Sequence, residues 1–421
     1  MNVEHVHFVH PLDLQAIGPE RTFLLGAISL LGPGTHNVIY PSFIKVLSKQ
    51  NRNDMKLCPN GTEIEMFYPD LLNDYALQLL LDEQRSKVYR PMFNRASVLQ
   101  ALAYDQKIKV LTATAKALHQ IIPDQNGEDT TYDYFEIYIR HYDYVLGLAT
   151  NYRTFERDEL LQIRMPVEFG MMLRNFAGFL REVGHNENAV YLAAIGLKII
   201  RDYECDSTKM STEASEEQLD QLKAHFLSIR GYAAIRACQY NMARESLEGC
   251  IEIRRNFVGL VAKVDLLLAR GHLAYLLAAE GKYSEALDEY KSIFKKFDDS
   301  DLMDDYAKNS AIQIATMIGI LHTIKGNLDQ AQSPLTWAGP TTLNPIRRTA
   351  VEHALGNLRL AEGKLSEARK HFMTCKHAWR DEGTCMHHNK TGLEYAISTQ
   401  YKLAIIDVRD TQPGGGPSAA K

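Results

Sequence analysis

The chain has 421 residues, 45% of them hydrophobic and 24% charged, proportions of a folded globular protein that exclude wholesale disorder. Fifty-two acidic against 47 basic residues leave a net charge of −5 with no basic block, which excludes a nucleic-acid footprint. No apolar run approaches the roughly 20 residues needed to span a bilayer, and six cysteines without a CxxC pair fit reduced thiols in the cytoplasm.

The opening "MNVEHVHFVHPLD" lacks the basic and apolar regions of a secretory signal. Its His5, His7 and His10 have no further ligands in view and read as a chain end, so no metal is expected there. "PERTFLLGAISLLGPGTHNVIYPSFIKVL" predicts a helix, a Gly/Pro turn over Gly32 to Gly34, and a second helix. After "FNRASVLQAL" comes the Tyr-rich "YFEIYIRHYDYVLGLATNY". There Phe135, Tyr138, Tyr142 and Val145 share one helical face and predict core, which leaves Tyr132, Tyr134, Tyr144 and Tyr152 for a pocket or a partner.

From about residue 166 the pattern changes. "GKYSEALDEYKSIFKKF" begins at Gly281, and "GKLSEARKHFMTCKHAW" says nearly the same thing from Gly363. The template G-x-[YL]-x-x-A also fits "GNLDQA" from Gly326, and more loosely "GHNENA" from Gly184 and "CQYNMA", where Cys238 replaces the glycine. Each copy follows an apolar-faced helix and opens another, so the unit is a helical hairpin in five copies. The template alanines Ala189, Ala243, Ala286, Ala331 and Ala368 mark where two helices approach closely. A polar run, "CDSTKMSTEASEEQ", widens the spacing between the first two copies and predicts an inserted loop. "GLEYAISTQYKLAIIDV" predicts a capping helix. The expected layout is all-α: an N-terminal helical region over 1–165, a solenoid over 166–405 and a disordered tail over 406–421.

The hairpin pattern resembles the tetratricopeptide repeat (TPR), in a long form of about 42 residues. The N-terminal stretches "PERTFLLGAISLLGPGTHNVIYPSFIKVL", "FNRASVLQAL" and "YFEIYIRHYDYVLGLATNY" resemble, in order and register, the winged-helix region and bridge of fungal STAND-type (NB-ARC, NLR-like) ATPases. Two features depart from that family. No G-x-x-x-x-G-K-[ST] phosphate loop occurs, and the short His motif is missing around "AYDQKIKVL", so no ATP binding is expected.

The TPR resemblance implies that the first helix of each hairpin lines a concave groove. Its inner positions give His225, Tyr232, Tyr275, Gln313, Thr316, His353 and Asn357 as the candidate ligand-binding residues. Only Asn357 matches the Lys/Asn/Arg pattern of carboxylate-clamping TPR domains. The cluster Cys375, His377, Cys385, His387 and His388 has borderline zinc ligands, but Cys375 falls on an apolar face with Phe372 and Trp379. "DDSDLMDD" (Asp298 to Asp305) reads as a solvated loop. No catalytic motif and no cofactor site appear. The expected function is a scaffold that binds a peptide, protein segment or ligand in its groove. The alternative is a cofactor-free enzyme of fungal natural-product biosynthesis that folds and cyclises an apolar small molecule there.

Overall fold

The structure, a computed structural model, describes residues 19–31, 43, 46–47, 79–81, 89–91, 95–122, 135–159, 165–205, 215–298, 305–341, 345–381 and 390–411. The expectations placed on His5, His7 and His10, on Cys385, His387 and His388, and on most of "DDSDLMDD" lie outside these residues.

Fifteen helices and one strand pair are described. The N-terminal part holds α1 (Pro19–Leu30), β1 (Leu79–Leu81), β2 (Tyr89–Pro91), α2 (Arg95–Ala101), α3 (Tyr104–Ile121) and α4 (Phe135–Glu159). The strands pair antiparallel, Leu80 opposite Arg90. Then come five hairpins: α5 (Val167–Glu182) with α6 (Asn186–Cys205), α7 (Glu216–Arg236) with α8 (Tyr240–Arg254), α9 (Leu260–Ala279) with α10 (Tyr283–Asp298), α11 (Asp305–Ile324) with α12 (Leu328–Thr341), and α13 (Pro345–Ala361) with α14 (Leu365–Asp381). The last helix, α15 (Lys390–Thr411), runs past residue 405 into the stretch read as tail. Among the described residues the fold is all-α apart from the small strand pair, with TPR-like helical hairpins from α5 to α14.

The chain forms two compact units, 1–124 with 134–176 and 194–219, and 125–133 with 177–193 and 220–421. The division passes through the first hairpin.

In the first unit α1 packs on α2 and α3, and Asn151 of α4 donates to the Leu30 carbonyl at 3.0 Å. The buried face of α4 carries Tyr138, Tyr144, Val145, Leu148 and Tyr152, while Tyr142 is half-buried. Tyr144 and Tyr152 are therefore core rather than pocket residues. The buried residues, which also include His141, Ala149 and Phe155, fall on one side of the helix, rotated from the expected face so that Tyr142 lies at its edge.

In the repeats each template residue has a visible physical task. Gly184, Gly281, Gly326 and Gly363 have φ between 75° and 82°, the left-handed geometry that ends a helix. At each, two amides reach back to the last carbonyls; Gly281 and Lys282, for instance, donate to Ala278 and Leu277 at 3.0 and 2.9 Å. The five template alanines are fully buried. Twelve residues before them stand equally small residues. A Cβ on Gly231, Gly319 or Gly356 would come within 2.6, 2.3 and 2.7 Å of Leu247, Leu335 and Phe372 respectively. The small pairs let the two helices of a hairpin close, and larger side chains would overpack that seam. Ser215 and Gln218, the end of the inserted polar run, form a reciprocal capping box that starts α7.

Cys238 breaks the pattern instructively. It keeps the same turn and the same two hydrogen bonds, but with φ 58° it is the only non-glycine residue at positive φ among those described. A left-handed L-residue costs roughly 1–2 kcal/mol, partly offset by the greater freedom that glycine has in the unfolded chain. The Cys238 side chain is exposed, so little packing is lost with it. Cys238→Gly is expected to stabilise by about 0.5–1 kcal/mol, read as a raised thermal midpoint; a lowered midpoint would refute the strain.

Candidate functional site

All the candidate groove residues belong to the second unit. Tyr232 of α7 stacks on Tyr275 of α9, ring centroids 5.8 Å apart and planes 24° apart. It also leans against His272, centroids 4.9 Å apart. Arg181, near the end of α5, places its guanidinium 5.6 Å from the centre of the Tyr232 ring, a cation–π distance. Arg236, the last residue of α7, donates to the Tyr275 hydroxyl at 3.5 Å and is ion-paired with Glu394 of α15. Tyr232, His272 and Tyr275 are half-buried, whereas the core ring of Tyr290 on the neighbouring helix is closed off from solvent. Protein atoms thus surround this aromatic cluster without sealing it.

The electrostatics keep the cluster neutral. Burial, reinforced by the charges of Arg181 and Arg254, holds the His272 pKa down to about 3. Burial, with Tyr275 and Glu182 nearby, raises the Tyr232 hydroxyl above its ordinary value. At neutral pH His272 is an uncharged imidazole and Tyr232 a protonated donor.

A second cluster surrounds His353 of α13. Asn357 Nδ2 donates to His353 Nδ1 at 3.1 Å, so the neutral imidazole carries its proton on Nε2, which donates to Ser398 Oγ at 2.9 Å. That polarity is opposite to the one by which a base activates a serine. Burial, then Lys402, pushes the His353 pKa down to about 4. The ring sits edge-on to Phe372 and Tyr395, at 5.7 and 5.3 Å.

A third group joins successive hairpins. Arg254, at the end of α8, is ion-paired with Asp265 of α9, which accepts a 2.5 Å hydrogen bond from Tyr306 of α11. Arg254 also donates to His225 Nδ1 at 3.4 Å and to Cys250 Sγ at 3.3 Å.

The structure distributes the seven expected residues unevenly. Tyr232 and Tyr275 meet directly; His353 and Asn357 form the second cluster; His225 joins the third. Gln313 is half-buried on α11. Thr316 is a correction: it is buried, and its hydroxyl donates to the Ile312 carbonyl one turn back at 2.7 Å. Because the helix itself satisfies the hydroxyl, this polar residue packs in the wall.

Sequence reasoning missed His272, Arg236, Asp265, Tyr306, Tyr395 and Ser398. The template position before His272 is Gly271, where a Cβ would lie 2.9 Å from Ile314, so that position faces a neighbouring helix. Tyr395 and Ser398 lie on α15, which no repeat template covers.

Cys375 is buried, donates to the Thr349 carbonyl at 3.4 Å, and has its thiol pushed up to about 12 by burial, so it is a core thiol. Among the described residues, no three His, Cys, Asp or Glu side chains gather so as to hold a metal ion, and no helix is long and apolar enough to cross a membrane.

No protein-family model matches the chain, and no curated protein matches it. Among solved structures it is similar to a tetratricopeptide repeat protein from Parabacteroides merdae ATCC 43184, at 13% identity and a TM-score of 0.38, covering 71% of this chain and 89% of that one. It is also similar to Rap protein complexed with competence and sporulation factor, at 12% identity and a TM-score of 0.38, covering 75% and 91%. At these scores neither carries an argument about ligands; the solenoid reading rests on the repeats themselves.

Proposed function

We propose that the chain is a binding scaffold whose inner groove takes a peptide segment, with an aromatic or other flat side chain against the Tyr232–Tyr275 stack. The observation that carries this is the half-buried stack itself, flanked by the guanidiniums of Arg181 and Arg236. Aromatic and arginine side chains grouped on a partly desolvated surface are the composition of binding hot spots. The neutral His272 and the protonated Tyr232 add an acceptor and a donor suited to backbone groups.

The Arg236–Glu394 contact favours a second reading. It joins α7 to α15, and a site closed between those helices would suit a compact small molecule. The polarity at Ser398, His353 and Asn357 offers such a molecule hydrogen bonds and no activated nucleophile.

The test is selection of peptides from a random display library on the intact protein. Enriched sequences are expected to share an aromatic residue. Tyr232→Ala should weaken their binding by about tenfold or more while moving the thermal midpoint only a few degrees. No enrichment, or equal binding by the variant, would sink the peptide reading.

A further inference from the structure

Ion pairs described between elements of the second unit commonly join neighbours in the chain, as Arg244 with Glu280, Arg270 with Glu289 and Arg254 with Asp265 do. Arg236 and Glu394 are different. They lie 158 positions apart and connect the second hairpin to the last helix, across everything between. The Glu394 side chain is 59% exposed and that of Arg236 27% exposed, so water competes for both. Such pairs are weak and exchange readily.

The two ends of α15 are held unequally. Its C-terminal half is built in: Leu403 and Ile406 are buried in a core cluster with Ala368 and Phe372, and Arg369 bonds Asp407 and Asp410 at 2.6 and 2.8 Å. Its earlier turns hold on mainly through polar and edge contacts, Glu394 to Arg236, Ser398 to His353 and the Tyr395 ring beside His353, with Thr399 at their end the one buried side chain described among them. Among these turns Ile397 is exposed, as is Tyr401 at their end. The earlier turns therefore lay an acidic residue followed by an aromatic one, Glu394–Tyr395, against the residues assigned above to ligand binding.

Resting on the peptide-groove reading, we propose that Arg236, backed by the Tyr275 hydroxyl, is a carboxylate subsite of the groove. The chain's own Glu394 fills it as a stand-in ligand, and the first turns of α15 form a strap. A peptide carrying an acidic residue next to an aromatic one displaces Glu394 and lifts that strap. The occupant reports the chemistry: a carboxylate paired with a guanidinium, and a phenol ring beside the groove's own rings.

The experiment uses the full chain and a capped synthetic peptide of residues 391–400, TGLEYAISTQ, together with its Glu-to-Gln analogue. In Glu394→Gln protein, hydrogen exchange over residues 390–398 should quicken by up to about fivefold, the range of one exposed ion pair, with α7 to α14 unchanged. The same variant should bind the acidic peptide up to about fivefold more tightly than the parent protein does, and should prefer it to the Gln analogue. Arg236→Ala should erase that preference. Unchanged exchange in Glu394→Gln, or equal binding of both peptides, overturns the carboxylate subsite. If the peptides bind regardless of charge but lose binding in Tyr232→Ala, the groove reading survives alone. If neither these peptides nor display-selected ones respond to Tyr232→Ala, both readings fall.

Discussion

Asp265→Ala is expected to lower the unfolding free energy by about 3–5 kcal/mol, the cost of leaving a buried charge without its partner. Asp265 stands between the Arg254 guanidinium, whose side chain is 7% exposed, and the Tyr306 hydroxyl. Without the carboxylate, Arg254 is left with His225 at 3.4 Å and the weakly accepting Cys250 sulfur at 3.3 Å, neither of which replaces a charge-assisted bond. The three residues come from α8, α9 and α11, so the loss falls on the seams between three successive hairpins. In a solenoid those nearest-neighbour seams carry much of the stability. Asp265→Asn should cost less, because its amide oxygen still accepts from Tyr306. Urea denaturation at neutral pH measures both changes; a shift below about 1 kcal/mol for Asp265→Ala would show that water reaches the pair freely.

What the sequence disclosed and what it hid divide along a physical line. Helix ends and close approaches are local demands with few solutions. A left-handed turn asks for glycine and a tight seam for alanine, so Gly281 and Ala286 announce a hairpin without any knowledge of the rest of the chain. Cys238 shows how firm the demand is, since the same turn forms around it at φ 58°. The candidate site is not local. The template sets matching positions of α7 and α9 on one side of their helices, and Tyr232 and Tyr275 do meet, but it cannot say that α15 brings Glu394 to Arg236. That contact depends on small rotations summed over several hairpins, and no single repeat encodes them. Thr316 failed for another reason: its hydroxyl bonds to its own helix, so residue type alone did not reveal which way it faces. In the Tyr-rich α4 the buried stripe runs through the polar His141 and is built largely of tyrosines, so residue type does not mark which side of the helix is covered.

Acid should destabilise the protein from about pH 6.5 downward, well before its carboxylates titrate. His272 and His353 have folded-state pKa values held near 3 and 4 by burial, with Arg181 and Arg254 beside the first and Lys402 beside the second. An unfolded histidine titrates near 6.5. The unfolded chain therefore takes up these protons first, so the contribution is complete above about pH 6.5 and falls as the pH drops toward the folded values. Each fully shifted histidine contributes up to about 1.4 kcal/mol per pH unit, and half-burial makes a loss of about 2 kcal/mol each by pH 4.5 the reasonable scale. Glu280 and Glu362, whose carboxyls are held below their usual range by Arg and Lys partners, act in the same direction but only at lower pH, so they leave this window clear. His141 and His322 are also lowered by burial. The double variant His272→Gln, His353→Gln should accordingly reduce the slope of stability between pH 6.5 and 4.5 by about half rather than abolish it. A slope unchanged in that variant, or stability that rises on acidification, would mean that both imidazoles are solvated and charge freely. The neutrality of the Tyr232 cluster, on which the groove reading depends, would go with it.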